Sequence, residues 1–191
     1  MNIQLSDHFN YKKLFLFTLP SVVMMVFTSV YCVVDGFFVS NFAGKTAFAA
    51  INLIMPFIMI LGGIGFMIGT GGSALVSYTL GTGDKEKANR YFSMMVYFTI
   101  LAGILLTVLG IIFVRPIAEL FGADESMMDT CVLYGRIVIA FNAAYMLQNI
   151  FQSFFVVAEK PRLGLIVTIA AGVTNMVLDA LFVGVFKWGI V

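Results

Sequence analysis

The chain is short of everything a water-soluble surface needs. Charged residues make up only 11% of its 191 positions, against 61% apolar, and mean hydropathy is +1.01. A soluble domain carries about a quarter charged residues because it must cover itself with ionised side chains. With net charge +1 there is no basic patch to hold nucleic acid, and with this much apolar sequence there is no disordered chain. Histidine occurs once, at His8, which excludes a histidine-based zinc site or a Ser-His-Asp triad. The two cysteines, Cys32 and Cys131, sit in apolar runs and provide neither a disulfide framework nor a metal site.

What is present is long, charge-free and apolar. No ionisable side chain lies between Lys13 and Asp35, Lys45 and Asp84, Arg90 and Arg115, or Arg162 and Asp179. A helix needs roughly 20 residues to cross a hydrocarbon layer about 30 Å thick, and these stretches supply them. The sequence predicts an all-α, polytopic membrane bundle with helices at 14–39, 51–80, 91–114, 131–157 and 163–186. Gly189 to Val191 read as the entry to a sixth. Barrel strands are excluded, because the runs are continuous rather than alternating. Lys12 and Lys13 before an apolar stretch imitate a signal peptide, but the stretch is too long and has no small-residue cleavage site, so it reads as a retained first helix.

The cations set the expected orientation. Lys12, Lys13, Lys85, Lys87, Arg90, Lys160 and Arg162 fall on one side, and Lys45, Arg115 and Lys187 on the other. This predicts a cytoplasmic N-terminus in the cell (inner) membrane. Arg136 is left near the outer end of the fourth helix, where its stem can snorkel to the interface. The loop before that helix collects Glu119, Asp124, Glu125 and Asp129. Ser126 and Asp129 have capping-box spacing, so the loop is expected to fold back as a short amphipathic segment.

In the second helix Gly65, Gly69, Ser73, Ser77 and Gly81 recur every fourth residue and predict a close helix-packing seam. Gly69, Gly71 and Ala74 match G-x-G-x-x-A only formally, since a dinucleotide fingerprint must follow a strand and open a helix. Pro20 and Pro56 each remove a backbone donor and predict kinks in the first and second helices.

Two acids lie inside the apolar runs. Asp35 follows Tyr31-Cys32-Val33-Val34, and Asp179 stands in Val-Leu-Asp-Ala-Leu-Phe with Asn175 one helical turn earlier. An isolated carboxylate in hydrocarbon costs several kcal/mol, so it faces a cavity, pairs, or takes a proton. No Lys or Arg is within helical reach of either. Depth counting puts both in the outer half of the membrane. With Asn175, Thr28 and Tyr31 they can form a pocket for a proton or a sodium ion; the alternative is plain hydration near the outer interface. The fourth helix adds Asn142, Gln148, Asn149 and Gln152, which either bond neighbouring helices or line a site, and Tyr134, an interface anchor or a pocket wall.

These residues resemble a known family. Pro20 ahead of Asp35, Gly83-Asp84 followed by Ala88, Glu159-Lys160-Pro161, and Asn175-x-x-x-Asp179 followed by Trp188-Gly189 are similar to the N-terminal half of multidrug and toxic compound extrusion (MATE) transporters. The resemblance covers nearly the whole chain. It implies twelve helices in two pseudo-symmetric lobes that export organic, often cationic, compounds by alternating access in exchange for protons or sodium. It also implies that Asp35, Asn175 and Asp179 form the cation site, for a proton or a sodium ion, and that Asn149, Gln152 and Tyr134 line its cavity, with Pro20 as a hinge. No other cofactor is implied. The chain then reads as an incomplete N-terminal lobe lacking its C-terminal partner. Competing expectations are a flippase for lipid-linked oligosaccharides, which would need basic residues in its cavity, and a structural membrane subunit whose acids pair with another chain. A membrane-embedded enzyme is not expected, because neither H-E-x-x-H nor a Ser/His pairing is present.

Overall fold

The computed structural model describes residues 10–186, so the expected start of a sixth helix at Gly189 to Val191 lies outside the described residues. Those residues are helical and contain no strand. The elements are α1 (Tyr11–Phe38), a π-helical segment π1 (Val39–Ala43), α2 (Lys45–Gly81), α3 (Lys85–Leu120), α4 (Glu125–Ala140), α5 (Asn142–Val157), α6 (Pro161–Asp179) and a second π-helical segment π2 (Ala180–Val185). Four spans are single runs long and apolar enough to cross a membrane, and α4 with α5 forms a fifth, bent by 50°. The five expected spans are all present, and α1 and α2 continue as helices through Pro20 and Pro56.

Three details differ from the sequence expectation. Helices extend past the charged residues that mark the interface: α2 begins at Lys45 and α3 runs from Lys85 to Leu120. The fourth span breaks at Phe141 rather than running unbroken over 131–157. The outer loop is also shorter than expected. Instead of an amphipathic segment capped by Ser126, Gly122 (φ 90°) closes α3 and Asp124 caps α4. Only glycine takes that left-handed conformation without strain, and it lets the Ala123 amide bond the Ala118 carbonyl at 2.9 Å, terminating α3. Asp124 Oδ1 then accepts from the Met127 amide at 3.0 Å and the Ser126 hydroxyl at 2.7 Å.

The Ser126 hydroxyl, followed by the Met127 amide, holds the Asp124 carboxyl below its ordinary value of 3.8. A depressed folded-state value means the cap stabilises above the ordinary carboxylate range and is lost as pH falls through the lowered value. Asp124→Ala is therefore expected to speed amide exchange several-fold over Ser126 to Asp129 at neutral pH, with Asp124→Asn retaining most of the protection. Equal exchange in all three proteins would show that the carboxylate does not hold this turn.

Helices α2 to α5 form the main bundle. Its core joins Ile54, Ile58 and Leu61 of α2 with Val114 of α3 and Cys131 and Ile139 of α4. The Cys131 thiol is buried and donates to the Ala50 carbonyl at 3.5 Å. The small-residue seam of α2 exists, but it turns. Gly62, Gly65, Gly69 and Gly72 are buried, whereas Gly81 is exposed with open space beside it. A four-residue step advances 400° on a 3.6-residue helix, so Gly81 points about 160° away from Gly65. The buried face instead continues through Val76 and Thr79. Outside this bundle, α1 packs chiefly on α6, with only Phe17, Pro20 and Met24 of α1 buried and only Gly164 and Gly172 of α6. The two run parallel: the site a Cβ on Gly172 would occupy is 2.6 Å from Phe27, and at Gly184 it is 3.7 Å from Phe38.

Candidate functional site

A cavity of about 250 Å³ lies between the α1–α6 pair and α5. Six residues singled out from the sequence line it: Thr28 and Tyr31 of α1, Gln148, Asn149 and Gln152 of α5, and Asn175 of α6. Each wall is a polar stripe at helical spacing on a mostly apolar helix. The glycine at 172 lets α6 approach Tyr31 closely, to 3.0 Å from the position of an added Cβ, and so draws the wall shut on that side. Asn149 donates to the Tyr145 carbonyl at 3.1 Å, leaving its oxygen free of that bond. Neither Lys nor Arg lines the cavity.

Asp35 and Asp179 do not line this space. Each lies one turn beyond it, after Tyr31 and Asn175 respectively, at the end where α1 and α6 finish. The two carboxyls are near enough to interact electrostatically, and Asp35 also reaches Tyr31 and Tyr134 in this way. Both acids are partly buried, and Asp179 Oδ2 is a buried oxygen with no hydrogen-bond partner among the described residues. Tyr134 lies off the cavity wall and packs against the α2–α3–α4 core. Pro20 is buried within α1, four turns before Asp35.

Both acids also precede a change of helix type. The Val39 amide returns to the carbonyls of Asp35 and Gly36 as α1 widens into π1, and π2 begins at the residue after Asp179. The two π-helical segments touch each other. Such wide turns are rare and recur at functional positions. The sequence carries no residue signal for them.

Two polar cavity residues, Tyr145 and Thr168, were missed. Tyr145 continues the α5 stripe of Gln148 and Gln152 toward its N-terminus, and Thr168 stands two turns before Asn175 on α6. The i, i+3, i+7 spacing of Tyr145, Gln148 and Gln152 was the available signal for the first, and the i, i+7 pairing of Thr168 with Asn175 for the second. Among the described residues no three His, Cys, Asp or Glu side chains cluster closely enough to hold a metal ion by themselves.

Comparison with known proteins agrees with this arrangement. Residues 20–181 match the family MatE. The multidrug export protein MepA of Staphylococcus saprophyticus is 23% identical over 181 residues, covering 95% of this chain and 40% of that protein. MepA of Staphylococcus haemolyticus is 22% identical over 173 residues, covering 91% and 38%. A solved outward-facing conformation of a multidrug resistance MATE family transporter of the MOP superfamily shares the fold, with a TM-score of 0.87 at 20% identity over 94% of this chain and 40% of the other. The chain thus spans about two fifths of the length of the relatives it matches. With a family match over most of its residues, the chain belongs to the MatE family of multidrug and toxic compound extrusion transporters and corresponds to their N-terminal half.

Proposed function

We propose that this chain is the N-terminal lobe of an antiporter in the cell membrane, its N-terminus cytoplasmic, that exports organic cations by alternating access in exchange for protons or sodium. The observation that carries the reading is the approach of Asp35 and Asp179 to within electrostatic reach of each other, one turn beyond an uncharged cavity, with a carboxylate oxygen of Asp179 buried and unbonded. Such an oxygen is stabilised by a proton or by a cation, and the two carboxyls with the nearby Asn175 amide form an oxygen-rich group suited to either.

The cavity suits the other half of the exchange. Tyr31 and Tyr145 offer ring faces to an organic cation, and Asn149, Gln152 and Asn175 offer hydrogen bonds. A bound anion such as a pyrophosphate would find no cation there, which favours export of cationic compounds over a flippase. Tyr31 is one turn from Asp35 and Asn175 one turn from Asp179, so each helix carries a drug-facing and an ion-facing residue. A change in the charge of the acids alters the packing of both helices, and Pro20, which leaves α1 one backbone bond short, is where α1 bends in response. Exchange follows because the two ligands favour different arrangements of the same pair of helices, and that linkage is reciprocal.

The test uses proteoliposomes carrying this lobe joined to the second lobe that the reading requires, loaded with a fluorescent cationic dye. An imposed proton or sodium gradient is expected to drive dye movement, and an ionophore that collapses the gradient is expected to stop it. Dye movement indifferent to both gradients, or none at all, would leave the structural-subunit reading in its place.

A further inference from the structure

We infer that the break between α4 and α5 holds a buried water molecule, bound by Asn142 Oδ1 and Thr107 Oγ1, which takes the place of the helical bonding lost there. Asn142 is 4% exposed, and its amide nitrogen is used on the Met146 sulfur at 3.4 Å. Its oxygen is buried and unpartnered, as is the Thr107 hydroxyl. Thr99 Oγ1, two turns earlier on α3, is the other threonine hydroxyl left so. Thr18, Thr70, Thr79 and Thr174 instead donate to the carbonyl four residues back, a common way for a helix to absorb a threonine.

The packing places these orphan atoms together. An added Cβ on Gly135 would lie 2.6 Å from Val114, on Gly110 2.8 Å from Ile139, and on Gly103 2.8 Å from the Cα of Ala143 and 3.6 Å from the Met146 sulfur. Partner numbers rise as α3 numbers fall, so the helices run antiparallel. Thr107, between Gly110 and Gly103, therefore falls against the stretch between Ile139 and Ala143, which holds the break and Asn142. This is also where the helix fails: the Phe141 amide turns back to the Val138 carbonyl at 3.1 Å, three residues earlier, and takes itself from the carbonyl of Ile137. A hydroxyl and an amide oxygen supply the two polar partners that a buried water needs at the least. Left dry, each would bear the full cost of desolvation.

Met146 is the reporter, because its sulfur lies beside Asn142 and yet is 0% exposed. Hydroxyl radicals made by brief X-ray exposure arise from bound water as well as bulk water. In the full chain, purified in detergent, Met146 is expected to oxidise despite its burial, and Asn142→Leu and Thr107→Val are each expected to lower that oxidation several-fold. Thr107→Val is nearly isosteric, so it tests the site even where Asn142→Leu fails to fold. Absence of Met146 oxidation in the unmodified chain, or oxidation at the unmodified rate in a folded variant, overturns the inference.

Discussion

Asp179→Asn is expected to bring gradient-driven export down to the passive background of protein-free vesicles while leaving membrane insertion intact. The amide keeps the shape of the carboxyl, so α6 still packs on α1 through Gly172, and a neutral side chain enters the membrane more readily than a charged one. What it removes is the ability to take up and release a proton, or to neutralise a cation, at a buried carboxylate oxygen that has no hydrogen bond of its own among the described residues. The coupling between ion and drug disappears with it, and coupling terms of this kind change affinity by roughly 5- to 150-fold. Asp179→Glu keeps the ionisable group and is expected to retain part of the activity. The measurement is initial dye export from vesicles with an imposed gradient, normalised to inserted protein. Normal export by the asparagine variant would remove Asp179 from the coupling site.

The second large effect is structural. Gly65→Leu is expected to lower the thermal midpoint of the detergent-purified chain by several degrees. A Cβ at this position would lie 2.6 Å from the backbone Cα of Met146, and backbone cannot rotate aside as a side chain can. The helices must separate, and the nearby approach of Gly69 to Ile150 and Asn149, at 3.1 and 3.2 Å, opens with them. Overpacking of this sort costs about 1–3 kcal/mol, and a domain of this size loses about 2–4 °C per kcal/mol. Gly63→Leu is the matched control, because nothing lies within 4 Å of its Cβ position. Equal midpoints for the two variants would mean that the α2–α5 seam does not limit stability. Because Asn149 stands on that seam and on the cavity wall, residual export by Gly65→Leu should fall as well.

The spans were legible because a charge inside hydrocarbon is costly, so charge-free runs report the membrane directly. Their ends were not, because charges mark the water interface and a helix can continue through it, as α3 does from Lys85 to Tyr91. The break at Phe141 left no trace in the sequence, since neither proline nor glycine is there. Depth counting set Asp35 and Asp179 level with each other, and the structure brings them within electrostatic reach. It could not show that they lie beyond the cavity rather than in its wall, since that depends on how far α6 slides along α1. The fourfold seam misled in its second half because a period of four does not match the 3.6-residue helix.

The pairing of α1 with α6, apart from the α2–α5 bundle, has a mechanical meaning. In the proposed exchange the pair would be one jaw of a clamp, with α5 as the other and the cavity as the gap between them. Both acids stand on the same jaw. Travel of that jaw would resize the cavity and reset the surroundings of the carboxyls in one stroke, so a single rigid displacement would suffice without a relay of side chains.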